Sequence, residues 1–176
     1  MIKIGIMASA DLETAARLAP VIDDLGAEIA RHNLLLLTGA TTGVPDAVVR
    51  AARSQGVFTI GVSPAQNADE HATRYRLPSD TSDALIFTGF GLKGRNVVLV
   101  RSADIVLIIA GAMGTLNEFT IAVDEGKIVG VLTGTGGIAD EIERLLGHVR
   151  DASRVFLDAQ PARLLDLCLN AYHLTA

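Results

Sequence analysis

The residues best placed for chemistry lie in DIVLIIAGAMGTLNEF, Asp104 to Phe119. An apolar run typical of a buried strand loosens into Ala110-Gly111-Ala112-Met113-Gly114, and a helical pattern opens at Thr115 and carries Glu118. Glycine lets backbone approach a ligand closely and adopt positive φ. A helix start offers unpaired N–H groups and a partial positive charge, which suit a phosphate. A carboxylate beside such a cradle could act on whatever the phosphate carries. The same spacing, Thr115-Leu116-Asn117-Glu118, also fits a capping box, in which the two side chains satisfy backbone donors at the helix end and do no chemistry. The two readings overlap, because a first-turn carboxylate can also face a pocket, where the helix dipole favours its ionised form.

Three further segments resemble this loop in composition: MASAD early in the chain, TGATTGVPD with Thr38, Gly39, Thr41 and Gly43, and TGTGGIADE with Gly134, Thr135 and Gly136. Each follows an apolar run, and each has the simpler reading of a plain turn. None matches the dinucleotide fingerprint or the P-loop pattern. Arg95, in a helical stretch, reads by default as a solvated surface charge, and Asn96 either bonds a ligand or caps the following VVLV. Ser9 fits a cap of the first helix better than a nucleophile, since no histidine completes a triad. His32, His71, His148 and His173 show no metal-ligand spacing with Cys168 or with one another, so no metal site is expected and surface or loop roles are the simpler reading.

These residues need a scaffold that brings them together. KIGIMAS, LLLLTG, VFTIGVS, DALIFTG, DIVLII, KIVGVLTG and RVFLD read as strands, and helical patterns separate most of them. Leu18, Ile22, Leu25 and Ile29 share one face of a helix spanning Leu12 to His32. Pro45 suits the first turn of the next helix and Gly56 its end. The alternation predicts an α/β chain: one three-layer α/β/α Rossmann-like domain over residues 1–176, built on a mostly parallel, doubly wound sheet of about seven strands. Parallel strands send all the glycine loops to one sheet edge, where such folds bind ligands. Residues 64–82 break the rhythm. This polar stretch, with Asp69, Glu70, Arg74 and Arg76, reads as a solvated loop or as a lid.

Composition narrows the function further. The chain is 49% hydrophobic but only 4% aromatic, so its core is aliphatic and suits strands covered on both faces. The apolar excess suggests a subunit interface, in a homodimer or homotetramer, with Val97-Val98-Leu99-Val100 as either one candidate surface or ordinary core. A net charge of −5 without a basic run argues against nucleic acid, though not against a mononucleotide. No apolar stretch reaches the roughly 20 residues of a membrane helix. The single cysteine and the lack of a convincing export signal point to the cytoplasm.

AGAMGTLNE resembles the PGGxGTxxE motif of the LOG family, phosphoribohydrolases once labelled lysine decarboxylases, and Gly94-Arg95-Asn96 resembles that family's upstream arginine-lysine pair. The resemblance runs from TGATTGVPDAVVRAARSQGVFTIGVSP through to TGTGGIADEI, most of the chain. In detail it resembles a short branch of nucleotide-binding Rossmann proteins to which molybdenum cofactor carriers are similar. What it implies is cleavage of a nucleoside 5′-monophosphate to free base and ribose 5-phosphate, with no cofactor required. Gly111, Gly114 and Thr115 would hold the phosphate. Arg95 would orient the substrate, and Glu118 would stabilise positive charge at the anomeric carbon. Asn96, Gly39, Thr41, Gly43 and Thr135 would complete the ligand site. The alternative is a carrier or sensor of molybdenum cofactor or a nucleotide. The family's proline and second glycine are Ala110 and Ala112 here, and the lysine after the arginine is Asn96. No aromatic clamp for a base is evident.

Overall fold

The computed structural model describes Met1–Thr175. Seven strands form one sheet in the order β4-β3-β2-β1-β5-β6-β7, and every neighbouring pair is parallel. The strands are β1 (Lys3–Ala8), β2 (Leu35–Thr38), β3 (Thr59–Ser63), β4 (Ala84–Phe87), β5 (Ile105–Ile109), β6 (Ile128–Leu132) and β7 (Val155–Asp158). The chain winds outward from β1 to β4, crosses back to place β5 beside β1, and winds outward again to β7. Strand order therefore reverses between β1 and β5.

Burial on both faces explains the continuous apolar runs. All five residues of β5 are buried, as are all five of β6. Side chains alternate across a strand. Ile105, Leu107 and Ile109 join one core with α2 (Ala19–Arg31), α3 (Val44–Ser54) and α8 (Pro161–Thr175). Val106 and Ile108 join the other with α5 (Gly91–Ser102), α6 (Met113–Asp124) and α7 (Ile142–Leu145). The layers are thus helices, sheet and helices. α2 and α3 pack closely because Gly26 has no side chain; a Cβ there would lie 2.7 Å from that of Ala51.

Four local expectations are corrected. The helix expected from Leu12 to His32 is two, α1 (Leu12–Arg17) and α2, broken at Leu18 with Pro20 in the first turn of α2. Leu18, Ile22, Leu25 and Ile29 are nonetheless all buried. Asp11, not Ser9, caps α1, accepting from the Thr14 amide at 2.7 Å. Residues 64–82 are no solvated loop, for they contain α4 (Ala68–Thr73), capped by Asn67, and a fully buried His71. Leu99 and Val100 are fully buried in the core, so the VVLV run is mostly interior rather than a free face.

Candidate functional site

Loops that follow β1 and β5 diverge at their carboxyl edge, and a cavity of about 440 Å³ opens there. The buried end of β1, Ile6 and Met7, forms part of its wall. α6 points its amino end at the cavity. Ala112 is the residue before the helix, and no side chain caps it. The amides of Met113, Gly114 and Thr115 belong to the first turn, which has no carbonyl partner of its own. Gly114 and Thr115 line the cavity, and a Cβ built on Gly114 would meet nothing within 4 Å. These amides are open to an anion.

Glu118 is not a cap. Helix α6 begins two residues before Thr115, which sets Glu118 one turn deeper than a capping box requires. The side chain turns to the cavity, where it is 6% exposed and its Oε1 accepts from Arg95 Nη1 at 3.3 Å. Burial pushes the carboxyl up to about 7, against the opposing charges of Arg95 and Lys93. The expected dipole stabilisation of its ionised form is overridden, because that effect fades beyond the first turn.

Arg95 is buried, not a solvated charge. Its guanidinium lies where a side chain at residue 39 would be: a Cβ on Gly39 would fall 1.9 Å from Nη1. Gly39 is needed for this close approach. Burial lowers the Arg95 pKa and Glu118 resists the shift. Arginine keeps its proton in proteins. Its Nε is buried without a hydrogen-bond partner.

Asn96 does not cap the following helix residues; it extends the polar cluster. With its amide nitrogen facing the two nearby acceptors, it donates to Glu118 Oε1 at 3.1 Å and to the Leu92 carbonyl at 3.0 Å, and its oxygen lies 2.9 Å from the Asn117 amide, which donates to it when turned to present its nitrogen. The opposite orientation keeps only the 2.9 Å bond to Asn117 and points oxygen at two acceptors. The first assignment satisfies more partners.

The other expected residues divide between lining and bracing. Gly39 and Thr41 line the cavity. Gly43, at φ +72, packs under the β1 loop instead, where its Cβ would fall 2.3 Å from the Ala10 carbonyl carbon. Gly111, at φ +87, makes the turn, and its Cβ would collide with the Thr115 side chain at 2.2 Å. Thr135 bonds the loop together, accepting from the Ala110 amide at 2.9 Å and donating to the Leu132 carbonyl at 2.7 Å. The amides of Gly134 and Gly136 are taken by the carboxylate of Asp140, at 2.6 and 2.9 Å. That fourth glycine loop therefore holds its own anion and braces the third.

Several cavity residues escaped the sequence reading. Lys93 lines it and supplies a cation near Glu118. It lies three residues before Asn96, and that helical spacing was the signal for it. Ser9 and Ala10, from the MASAD loop expected at this edge, line the β1 side. Tyr75 and Leu77 reach the cavity from the 64–82 segment, a placement that no local pattern announces. Among the described residues, no group of three His, Cys, Asp or Glu could hold a metal ion. No helix among them is long and apolar enough to cross a membrane.

The family model for the SLOG cluster4 family matches residues 1–165. The chain belongs to the SLOG cluster4 family. This SLOG protein is 30% identical, over 75% of its length and 80% of the relative's, to an uncharacterised protein of Archaeoglobus fulgidus. Its fold matches that of TM1055 with a TM-score of 0.84, covering 97% of this chain and 99% of the other at 24% identity. It is also similar to the molybdenum cofactor carrier protein of Chlamydomonas reinhardtii, with 28% identity, 99% of each chain covered and a TM-score of 0.76. The LOG-like superfamily and the carrier-related branch expected from AGAMGTLNE and Gly94-Arg95-Asn96 are thereby shown.

Proposed function

We propose that this SLOG protein binds a small phosphorylated, nucleotide-like ligand in the switch-point cavity, with the phosphate on the amino end of α6. One observation carries the reading. The uncapped amides at Gly114 and Thr115 open onto the same cavity as the buried Arg95–Glu118 pair. The charges agree with it: when Glu118 is ionised it cancels Arg95, which leaves Lys93 and the helix dipole to balance a phosphate. The cavity falls in the usual range for small-ligand sites, roughly 300–1,000 Å³.

Two chemistries use this site. In the hydrolytic one, Glu118 faces the ribose of a nucleoside 5′-monophosphate. Its ionised form stabilises the oxocarbenium-like state at the anomeric carbon, and water completes the cleavage to free base and ribose 5-phosphate. A carboxyl that titrates near neutrality also suits proton transfer to and from that water. In the second, the protein carries or senses its ligand without cleaving it. The similarity to a molybdenum cofactor carrier favours this reading.

A panel of nucleoside monophosphates assayed for free base, beside thermal-shift measurements that include pterin cofactors, separates them. For a hydrolase, Glu118→Ala lowers the rate by roughly 10²-fold or more while binding persists. A carrier binds without releasing base from any member of the panel. If no phosphorylated compound shifts the melting temperature, the cavity is not a phosphate site.

A further inference from the structure

The two ends of the cavity differ in chemistry. The α6 end is polar, with the Gly114 and Thr115 amides, Arg95, Asn96 and Glu118. The 64–82 segment and the start of α5 contribute Tyr75, Leu77 and Leu92, an apolar group with Lys93 as its charged neighbour on α5. Among the described residues Tyr75 is the one aromatic ring in the lining.

The segment that bears Tyr75 is anchored, not loose. His71 is fully buried; its Nδ1 lies 2.8 Å from Ser63 Oγ at the end of β3, and its Nε2 lies 3.0 Å from the Pro78 carbonyl. The Ala65 amide donates to the same Ser63 oxygen at 3.1 Å. These bonds fix both flanks of Tyr75. The Arg74 guanidinium lies over the ring, 5.2 Å from its centroid, and Glu70 pairs with Arg74. The Tyr75 hydroxyl reaches towards the start of α5, since a Cβ on Gly91 would lie 3.8 Å from it. An anchored aromatic ring beside Leu77 and Leu92, in the same cavity as an anion site, is suited to a flat π-system. A cationic group would be poorly served there. Among the described residues Glu118 is the only carboxylate in the lining, and Arg95 already engages it.

We infer that Tyr75, backed by Leu77 and Leu92, is the specificity-determining contact for an aromatic heterocycle on the ligand. The 64–82 segment is then the element that selects among phosphorylated compounds. This inference rests on the proposed phosphate site, and its test separates the two.

The probes are ribose 5-phosphate, which has the phosphate without a ring, and the common nucleoside 5′-monophosphates, titrated calorimetrically into the full chain. The wild type binds at least one monophosphate more tightly than ribose 5-phosphate. Tyr75→Ala weakens that monophosphate by about tenfold and leaves ribose 5-phosphate within about twofold. Tyr75→Phe keeps the ring, so it retains the wild-type affinities and controls for folding. Leu77→Ala gives a smaller loss in the same direction. The inference is overturned if Tyr75→Ala weakens both probes alike, if it weakens neither, or if Tyr75→Phe loses as much as Tyr75→Ala. If the wild type binds neither probe, the phosphate site itself fails and the ring contact falls with it.

Discussion

Replacing Glu118 by glutamine should stabilise the protein in a strongly pH-dependent way. Burial raises the folded-state carboxyl to about 7 from an ordinary 4.5. Between these values the folded state holds a proton that the unfolded chain releases. Stability from this group is therefore fully present below the unfolded pKa and is lost as pH rises towards the folded one. Each unit of difference is worth about 1.4 kcal/mol, so the total approaches ~3 kcal/mol above neutrality. Glutamine mimics the protonated acid and does not titrate. Glu118→Gln should then exceed the wild type by about 1 kcal/mol at pH 5 and by about 3 kcal/mol at pH 8. Taking the variant–wild-type difference cancels the titration of all other groups. The assay is urea unfolding of both proteins at matched pH values, with the midpoint and slope fitted together. In thermal scans the pH 8 gain corresponds to about 6–12 °C for a chain of this size. A difference that stays flat with pH would refute the reasoning, as would a glutamine variant less stable than wild type at pH 8. A flat difference would mean that Arg95 fully offsets burial, and a less stable glutamine variant at pH 8 that Arg95 holds Glu118 ionised more strongly than burial opposes it.

The glycines of the cradle should behave unlike one another. Gly114→Ala meets open space and gains helix propensity, so stability should stay within about 1 kcal/mol of wild type while anion binding falls; chemical denaturation and phosphate titration read the two effects. Gly111→Ala combines φ +87 with a 2.2 Å clash against Thr115 and should cost about 2 kcal/mol or more in the same unfolding assay. Gly39→Ala pushes on the tip of a flexible side chain, so the fold should survive, but Arg95 must leave Glu118; a ligand affinity equal to wild type would rule this out. His71→Ala removes the bonds to Ser63 and Pro78 and should expose residues 64–82 to limited proteolysis without unfolding the domain, with cleavage mapped by mass spectrometry.

The sheet was legible because each of its strands is an apolar run, and the most buried, β5 and β6, carry the longest unbroken ones. The order of strands was not, because all the strands read alike and nothing local says which lie side by side. Glu118, Arg95, Asn96, Gly114, Thr115, Gly39 and Thr41 were legible as candidates, and the structure places all of them on one cavity. Gly43, Gly111 and Thr135 carry the same residue types but brace the loops. The difference between lining and bracing depends on side chains that arrive from distant segments, such as Thr115 against Gly111. The start of α6 was misplaced because Met113-Gly114 looks like turn rather than helix. Those two residues decide whether Glu118 caps or faces the cavity. Tyr75 was hidden by the polarity of its neighbours, since the His71 that anchors the segment is a single buried polar residue in a run of mostly exposed polar and charged ones.

The Arg95–Glu118 pair is hard to justify as a stabilising device. Its two side chains are nearly fully buried at 3.3 Å, the Arg95 Nε has no partner, and burial pushes the carboxyl towards neutrality. Apolar residues of similar volume usually serve such a position as well or better. The surroundings are nevertheless arranged to keep the pair: Gly39 gives up its side chain to admit the guanidinium, and Asn96 spends its amide on the carboxylate. Ordinary core packing requires neither arrangement. Both place polar groups on the wall of a cavity, at the sheet edge where the strand order reverses and beside uncapped helix amides. A perturbed acid held in a cleft by a dedicated partner is the pattern of a functional site. The stability gained by Glu118→Gln would then measure what the fold gives up to keep a charge where a ligand can meet it.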